Sequence, residues 1–345
     1  MGGQSETVTR PTQPASPGDP EGAQAAPTRR GRRGTIDAFD LGIIARLSVD
    51  GRMSTKQIAE EVGLTDATVA ARIRALTERD VLRVRAVVDW DVAGLRSPMV
   101  FFVRVRGRSS KGIAEQLLAD PQVHSVAEVF GSADLVVRVL LAGPTDAMAF
   151  AEETLRGVDG TELVMSLLDV DVAKHANGFH TGAKVTTQVP SFPAHDAMLD
   201  DVDVRVLEHL LEDARQSLRQ IGRALDVSEH TVRSRLRRME DVGLVRICAQ
   251  VDHEATAGST ESAYLALRTE HASTATIIAD LVSRPEARTV DRTLGEYDVL
   301  ALVAASTRAE LADVIDSVRS APGVLRSETW LVVEQQLAAF PWARF

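Results

Sequence analysis

Residues 40 to 83 are read a second time as residues 203 to 246, and this repetition constrains the fold more than any compositional property does. Asp40-Leu41-Gly42-Ile43-Ile44-Ala45-Arg46-Leu47 lies over Asp203-Val204-Arg205-Val206-Leu207-Glu208-His209-Leu210, and the register runs without a gap to Val81-Leu82-Arg83 over Leu244-Val245-Arg246. After a single-residue slip, Gly131-Ser132-Ala133-Asp134-Leu135 lies over Gly295-Glu296-Tyr297-Asp298-Val299. Self-similarity at a fixed offset means one structural unit used twice. The chain therefore divides into a disordered tail over 1–34, a first domain over 35–90, a second over 91–175, a linker over 176–197, and a second pair of domains over 198–253 and 254–345.

Each unit opens with an amphipathic helix, carrying Ile44 and Leu47 in one copy and Leu207 and Leu210 in the other. Ser54-Thr55-Lys56-Gln57 and Ser217-Leu218-Arg219-Gln220 then fit the capping-box pattern and start a second, short helix. It holds Ile58 and Val62, or Ile221 and Leu225, and stops at Gly63 or Asp226. Thr65 and Ser228 are good N-caps for a third helix, in which Val69, Ile73 and Leu76 match Val232, Leu236 and Met239 as one buried stripe. Two capped helices joined by a tight turn, the second with a polar outer face, are a helix-turn-helix arrangement.

At about 100° per residue, the third helix of the second copy turns His230, Thr231, Ser234, Arg237 and Arg238 outward, flanked by Arg233 and Arg235. Arginine grips guanine bidentately, and hydroxyls reach bases or phosphates, so this face has the chemistry of a DNA reader; the plainer reading is a solvated helix surface. In the first copy the same positions hold Ala67, Thr68, Ala71, Arg74 and Ala75, flanked by Ala70 and Arg72. Alanines allow close approach but few hydrogen bonds. The second copy is thus expected to discriminate bases, while the first positions the protein through Arg72 and Arg74.

After a strand over 82–89 or 245–252, each copy continues as strand, helix, strand, strand, helix, strand. In the first copy these fall near 98–106, 110–119, 123–130, 134–142, 144–155 and 161–172; in the second near 262–269, 273–283, 286–294, 297–304, 307–319 and 324–335. The fold class is α+β, with two winged helix-turn-helix domains each followed by a ferredoxin-like βαββαβ domain. Helices on one side of such a sheet leave its other face free to pair. Gly131 and Gly295, each followed by an aspartate three residues on, mark tight hairpins between the central strands.

A net charge of −10 argues against non-specific coating of nucleic acid, which depends on cationic contact with phosphate, but not against a local basic face. The basic knot Arg29-Arg30-Gly31-Arg32-Arg33-Gly34 reads either as a solvated tail or as a flexible minor-groove arm. No run is long and apolar enough to cross a bilayer and the amino terminus lacks a secretion pattern, so a cytoplasmic location without membrane contact is expected. Cys248 is the single cysteine and offers neither a disulfide nor a cysteine metal site.

Asp-x-x-x-x-x-x-Leu at the start of the first helix, Asp50-Gly51-Arg52-Met53-Ser54, Arg72-Ile73-Arg74-Ala75-Leu76, and a Gly-x-Tyr-Asp turn in a βαββαβ domain together resemble the Lrp/AsnC, or feast/famine, family. The resemblance implies a transcriptional regulator whose partner is double-stranded DNA, with Thr65, Thr68, Arg72, Arg74, Ser228, His230, Thr231, Arg233, Ser234, Arg237 and Arg238 as the DNA-binding residues. It also implies an amino-acid or other small-molecule effector near Gly295, Tyr297 and Asp298, and near Gly131 and Asp134, where Ala133 replaces the tyrosine. Two units in one chain look like a covalent dimer, and a homo-oligomer of fused chains, pairing through its sheets, follows from the family. No cofactor, metal or catalytic residue is expected. The alternative is a sirohaem-type decarboxylase of haem biosynthesis, similar in fold, for which His124, Arg138, Arg288 and Arg292 would be the inward-facing candidates. A third reading is a sensing and assembly protein that has lost DNA binding.

Overall fold

The computed structural model describes residues 1–2, 36–79, 81–175, 189–251, 261–338 and 340–344. The basic knot at Arg29 to Gly34 lies outside the described residues.

Within the unit Thr35–Phe345, the first helix-turn-helix is α1 (Ala38–Val49), α2 (Thr55–Val62) and α3 (Asp66–Glu78), and the second is α7 (Asp201–Glu212), α8 (Leu218–Leu225) and α9 (Glu229–Asp241). Local chemistry sets these boundaries. Ser54 Oγ accepts from the Gln57 N–H at 3.2 Å while Gln57 Oε1 takes the Ser54 N–H at 3.2 Å, and Gln220 Oε1 takes the Ser217 N–H at 3.3 Å. Helix α2 ends at Gly63 with φ 72°; Asp226, with φ 55°, ends α8 in the same left-handed conformation, which an aspartate tolerates better than most residues. Thr65 and Ser228 accept from the N–H groups of Thr68 and Thr231 at 3.2 and 3.0 Å.

The strands that follow, β1 (Leu82–Asp89) and β6 (Val245–Val251), pair antiparallel with Arg85 opposite Cys248. Those two positions are equivalent in the repeat, so the local two-fold relation passes through the middle of this ribbon. The ribbon crosses between the copies. Ala86 and Val88 of β1 join the core of the second helix-turn-helix, and Ala249 of β6 joins that of the first. A short strand near the carboxyl end, β11 (Trp342–Ala343), adds parallel to β1 and was not foreseen in the sequence. The stretch expected as linker is packed where it is described: Val189 and Phe192 lie in the same core as Trp90, Phe340 and Trp342, and a short helix α6 (His195–Met198) leads into α7.

The first α/β half is β2 (Met99–Val105), α4 (Ser110–Leu117), β3 (Val123–Phe130), β4 (Leu135–Val139), α5 (Pro144–Ala149, continued as a π-helical turn Phe150–Leu155) and β5 (Thr161–His175). The second copy is β7 (Glu261–Thr269), α10 (Thr274–Ser283), β8 (Ala287–Leu294), β9 (Val299–Ala305), α11 (Arg308–Arg319) and β10 (Val324–Leu337). Each half has strand order 3-4-2-5 or 8-9-7-10, the ferredoxin-like arrangement. The halves do not remain separate sheets. Strand β5 pairs with β8 and β10 with β3, which closes an eight-stranded barrel. At this strand number side chains fill the interior, here Val100, Phe102, Val136 and Leu167 from one half against Tyr264, Tyr297, Leu300 and Trp330 from the other. The sheet face expected to be free to pair is covered by the other half of the same chain, and closure removes the open edges as well. Helices α4 and α5 cover one outer face with Ile113, Leu117 and Phe150, and α10 and α11 cover the other with Ile277, Leu281 and Leu311.

Candidate nucleic-acid interface

Helix α9 carries the stronger surface. Val232, Leu236 and Met239 are 0, 4 and 1% exposed, while His230, Ser234 and Arg237 on the opposite side are open to solvent. Two surface clefts flank this face. One of about 590 Å³ is bounded by Asp196, Asp200 and Asp203 on one side and His230, Thr231 and Ser234 on the other; a second of about 400 Å³ is lined by His230, Ser234, Arg237 and Asp241 among others.

The cations on this helix are not equivalent. Arg235 Nη1 sits 2.6 Å from Asp200 and 2.9 Å from Asp203, and Arg238 also pairs with Asp203, whose carboxylate is fully buried. The side-chain bond from Arg235 holds the Asp200 carboxyl down to about 2. Arg233 pairs with Glu229 one turn earlier at 2.5 Å on an exposed surface. Arg237 makes no hydrogen bond or ion pair among the described residues. A backbone phosphate or a guanine edge would find this guanidinium unspent.

Helix α3 repeats the pattern with less charge. Val69 and Leu76 are buried, and Thr68 and Arg74 are exposed. Arg72, expected as a DNA contact, instead bonds Asp37 and Asp40 at 2.8 Å each and lies 5.6 Å from the centre of the Phe39 ring. Those bonds raise its pKa and fix its direction toward α1. Arg74 is left as the one expected cation of α3 without an ion pair among the described residues. Thr65, Thr68, Ser228 and Thr231 are spent in part on the caps, with hydroxyl contacts of 2.8 Å within each pair.

The helical wheel, which sees only one helix, missed the carboxylates that fix Arg72 and Arg235. A signal was present: Asp37, Asp40 and Arg72 recur at equivalent positions as Asp200, Asp203 and Arg235.

The glycine turns are structural keystones between the halves. A Cβ on Gly131 would sit 2.5 Å from Trp330, and one on Gly295 would sit 2.8 Å from Leu167, each in the other half. Asp134 and Asp298 accept the N–H groups of Val105 and Thr269 at 2.7 and 2.8 Å. Tyr297 is fully buried and donates to Glu328 at 2.6 Å; Glu328 also accepts from Ser132 in the other copy's turn.

Of the residues weighed for an enzyme, Arg138 is buried between Asp169 and Asp291 at 2.5 Å each, and Arg292 faces outward. Arg288 is half-buried, and burial lowers its pKa. His124 is buried beside Trp90 and His175, with ring centres 5.4 and 5.9 Å away, and burial takes its imidazole down to about 3. No group of three metal-ligating side chains is assembled among the described residues, and no helix among them is long and apolar enough to cross a membrane.

Two three-helix domains of this geometry, joined to paired ferredoxin-like halves, define a tandem helix-turn-helix protein with a covalently paired α/β body. The AsnC-type helix-turn-helix domain matches residues 36–77 and 199–240, and the Lrp/AsnC ligand binding domain matches 262–338. The chain thus carries two AsnC-type helix-turn-helix domains and an Lrp/AsnC ligand binding domain. Among curated relatives, the HTH-type transcriptional regulator FL11 of Pyrococcus furiosus is 26% identical over 137 residues, covering 40% of this chain and 91% of that protein. The Bkd operon transcriptional regulator of Pseudomonas aeruginosa is 29% identical over 136 residues, 38% of this chain and 88% of that one. Both stretches have the length of a single unit. The fold of the whole is similar to that of the siroheme decarboxylase NirDL, solved in co-complex with an iron-uroporphyrin III analogue, with a TM-score of 0.62 at 13% identity over 88% of this chain and 94% of that chain.

Proposed function

We propose that the chain regulates transcription by binding double-stranded DNA, with α9 reading base edges through His230, Ser234 and Arg237 and α3 adding backbone contact through Arg74. The observation that carries this reading is the split of α9 into a fully buried stripe and an open face whose Arg237 has no ion pair among the described residues. The regulators named above support it. Selection from a random duplex library tests it: the expected outcome is enrichment of one asymmetric motif, and recovery of unenriched DNA would contradict it.

An amino-acid effector belongs to the same proposal, at the Gly295-Glu296-Tyr297-Asp298 turn inside the matched ligand-binding domain. The equivalent turn at Gly131 carries Ala133 in place of the tyrosine; both turns are packed against the other half, Gly131 on Trp330 and Gly295 on Leu167. Calorimetry with a panel of amino acids, repeated on Tyr297→Phe, checks the assignment. Assembly of fused chains has apolar surface on the outside of the barrel, where Phe130, Leu331 and Val333 are exposed, and light scattering reports it.

The decarboxylase reading rests on the fold likeness alone. It finds Arg138 already neutralised by two aspartates and Arg292 turned away from the interior. Absorbance of the protein after titration with a tetrapyrrole would reveal such a site.

A further inference from the structure

The loops joining the first and second helix of each domain, residues 50–54 and 213–217, face one another. Arg52 donates from Nη1 to the Ala214 carbonyl at 2.6 Å and from Nη2 to the Gln216 carbonyl at 2.8 Å. Arg215 returns the contact from Nη1 to Gly51 and from Nη2 to Met53, both at 3.1 Å. Each guanidinium spans two carbonyls of the opposite loop, which a fork of fixed geometry does and a single ammonium cannot.

We infer that Arg52 and Arg215 form a reciprocal clasp that fixes the separation and orientation of the two reading helices, and so restricts the DNA partner to one spacing between its two contact sites. This rests on the DNA-binding reading above.

Two arginines brought together at a two-fold relation repel, and both are half-buried, so burial lowers the pKa of each. Desolvating two like charges is unfavourable unless the bonds they gain are specific. Asp50, Asp213 and Glu240 lie near enough to offset part of the repulsion. The loop of the first copy has no room to slide: Gly51 donates to Ile247 of the ribbon at 2.8 Å, and a Cβ there would meet Val84 at 2.7 Å and Ile247 O at 2.9 Å. Helices α2 and α3 pack on one continuous core, and α8 and α9 on another, so the position of a loop is passed to its reading helix. A duplex presents the same groove on the same face only every ~34–36 Å, or about 10 base pairs. A rigid pair of helices therefore accepts one phasing of its two sites.

The experiment has two arms. In the first, spin labels are placed at the equivalent exposed positions of the second helices, Glu60→Cys and Arg223→Cys, with the buried Cys248 left in place, and the label-to-label distance distribution is measured without DNA. The parent should give one narrow distribution, and R52A/R215A a distribution about twice as broad or more, since no rigid fork remains. R52K/R215K, which keeps the charge, should broaden as well; it also serves if the alanine pair melts early. Unchanged width in the folded variants overturns the clasp. In the second arm, the selected operator is lengthened by 2, 5 or 10 base pairs between its two contact sites. The parent should lose about tenfold or more at 5 and recover at 10, while the variants should differ by no more than about threefold across the series. Identical spacing profiles overturn the inference. If the parent retains no DNA, the DNA reading and the spacing rule fall together, while the first arm still reports whether the clasp is rigid.

Discussion

Arg72 and Arg74 stand two residues apart on one helix and have different fates. Arg72 is bound to Asp37 and Asp40, whereas Arg74 has no ion pair among the described residues. The Arg72→Ala change should therefore act on stability, because it leaves the Asp40 carboxylate, whose side chain is 8% exposed, without its cation. Arg74→Ala should leave the melting temperature within about 2 °C and weaken DNA binding almost uniformly across sequences. Arg237→Ala should cost about 1–3 kcal/mol at one base position and relax preference there, if its guanidinium reads a guanine edge. Binding of the three variants to operator and scrambled duplex separates these outcomes; a loss of preference in Arg74→Ala equal to that in Arg237→Ala would contradict the division of labour. The exposed face itself was legible from spacing at helical period. The neutralisation of Arg72 and Arg235 was not, because their carboxylates lie 32 and 35 residues away in sequence, beyond what periodicity reports.

Elements whose signals are local were readable in advance. Caps at Ser54, Thr65 and Ser228 and the helix stops at Gly63 and Asp226 stand where the residue types put them. Ser228→Ala should cost about 0.5–2 kcal/mol through loss of the α9 cap, and Leu236→Ala about 2–5 kcal/mol through the cavity left against Leu207 and Met239, both measured by urea unfolding. A Leu236→Ala loss below about 1 kcal/mol would mean that α9 packs loosely. Strand β11 escaped the sequence because two residues, Trp342 and Ala343, show no alternation, and their partner β1 lies some 250 residues earlier. The π-helical turn inside the expected helix 144–155 likewise has no compositional mark.

Across the whole molecule, the repeat announced two copies but not how they close on one another. The pairing of β5 with β8 and β10 with β3 depends on edges meeting in space, and alternation within a strand is the same whether its edge is open or paired. Fusion also allows the seam to be asymmetric. Arg138, Asp169 and Asp291 sit inside the barrel with two carboxylates for one guanidinium, and burial pushes the Asp169 carboxyl up to about 8. With its folded value above its unfolded one, the native chain holds a proton that the unfolded chain has released between about pH 4 and pH 8. The contribution of this group to stability is therefore greatest at acid pH and declines as pH rises through that window. Asp169→Asn should flatten the decline in a series of unfolding midpoints, and an unaltered slope would place the proton elsewhere.

DNA recognition by this chain turns on α9 as the reader of base sequence. The direct measurement is the affinity of the parent and of Arg237→Ala for a set of operators in which each base pair is changed in turn, at one fixed salt concentration. The parent should discriminate at several positions, and the variant should lose discrimination at one or two of them while retaining its affinity for unrelated duplex within about threefold. Identical base preferences in the two proteins, or a parent that binds every duplex alike, would contradict it.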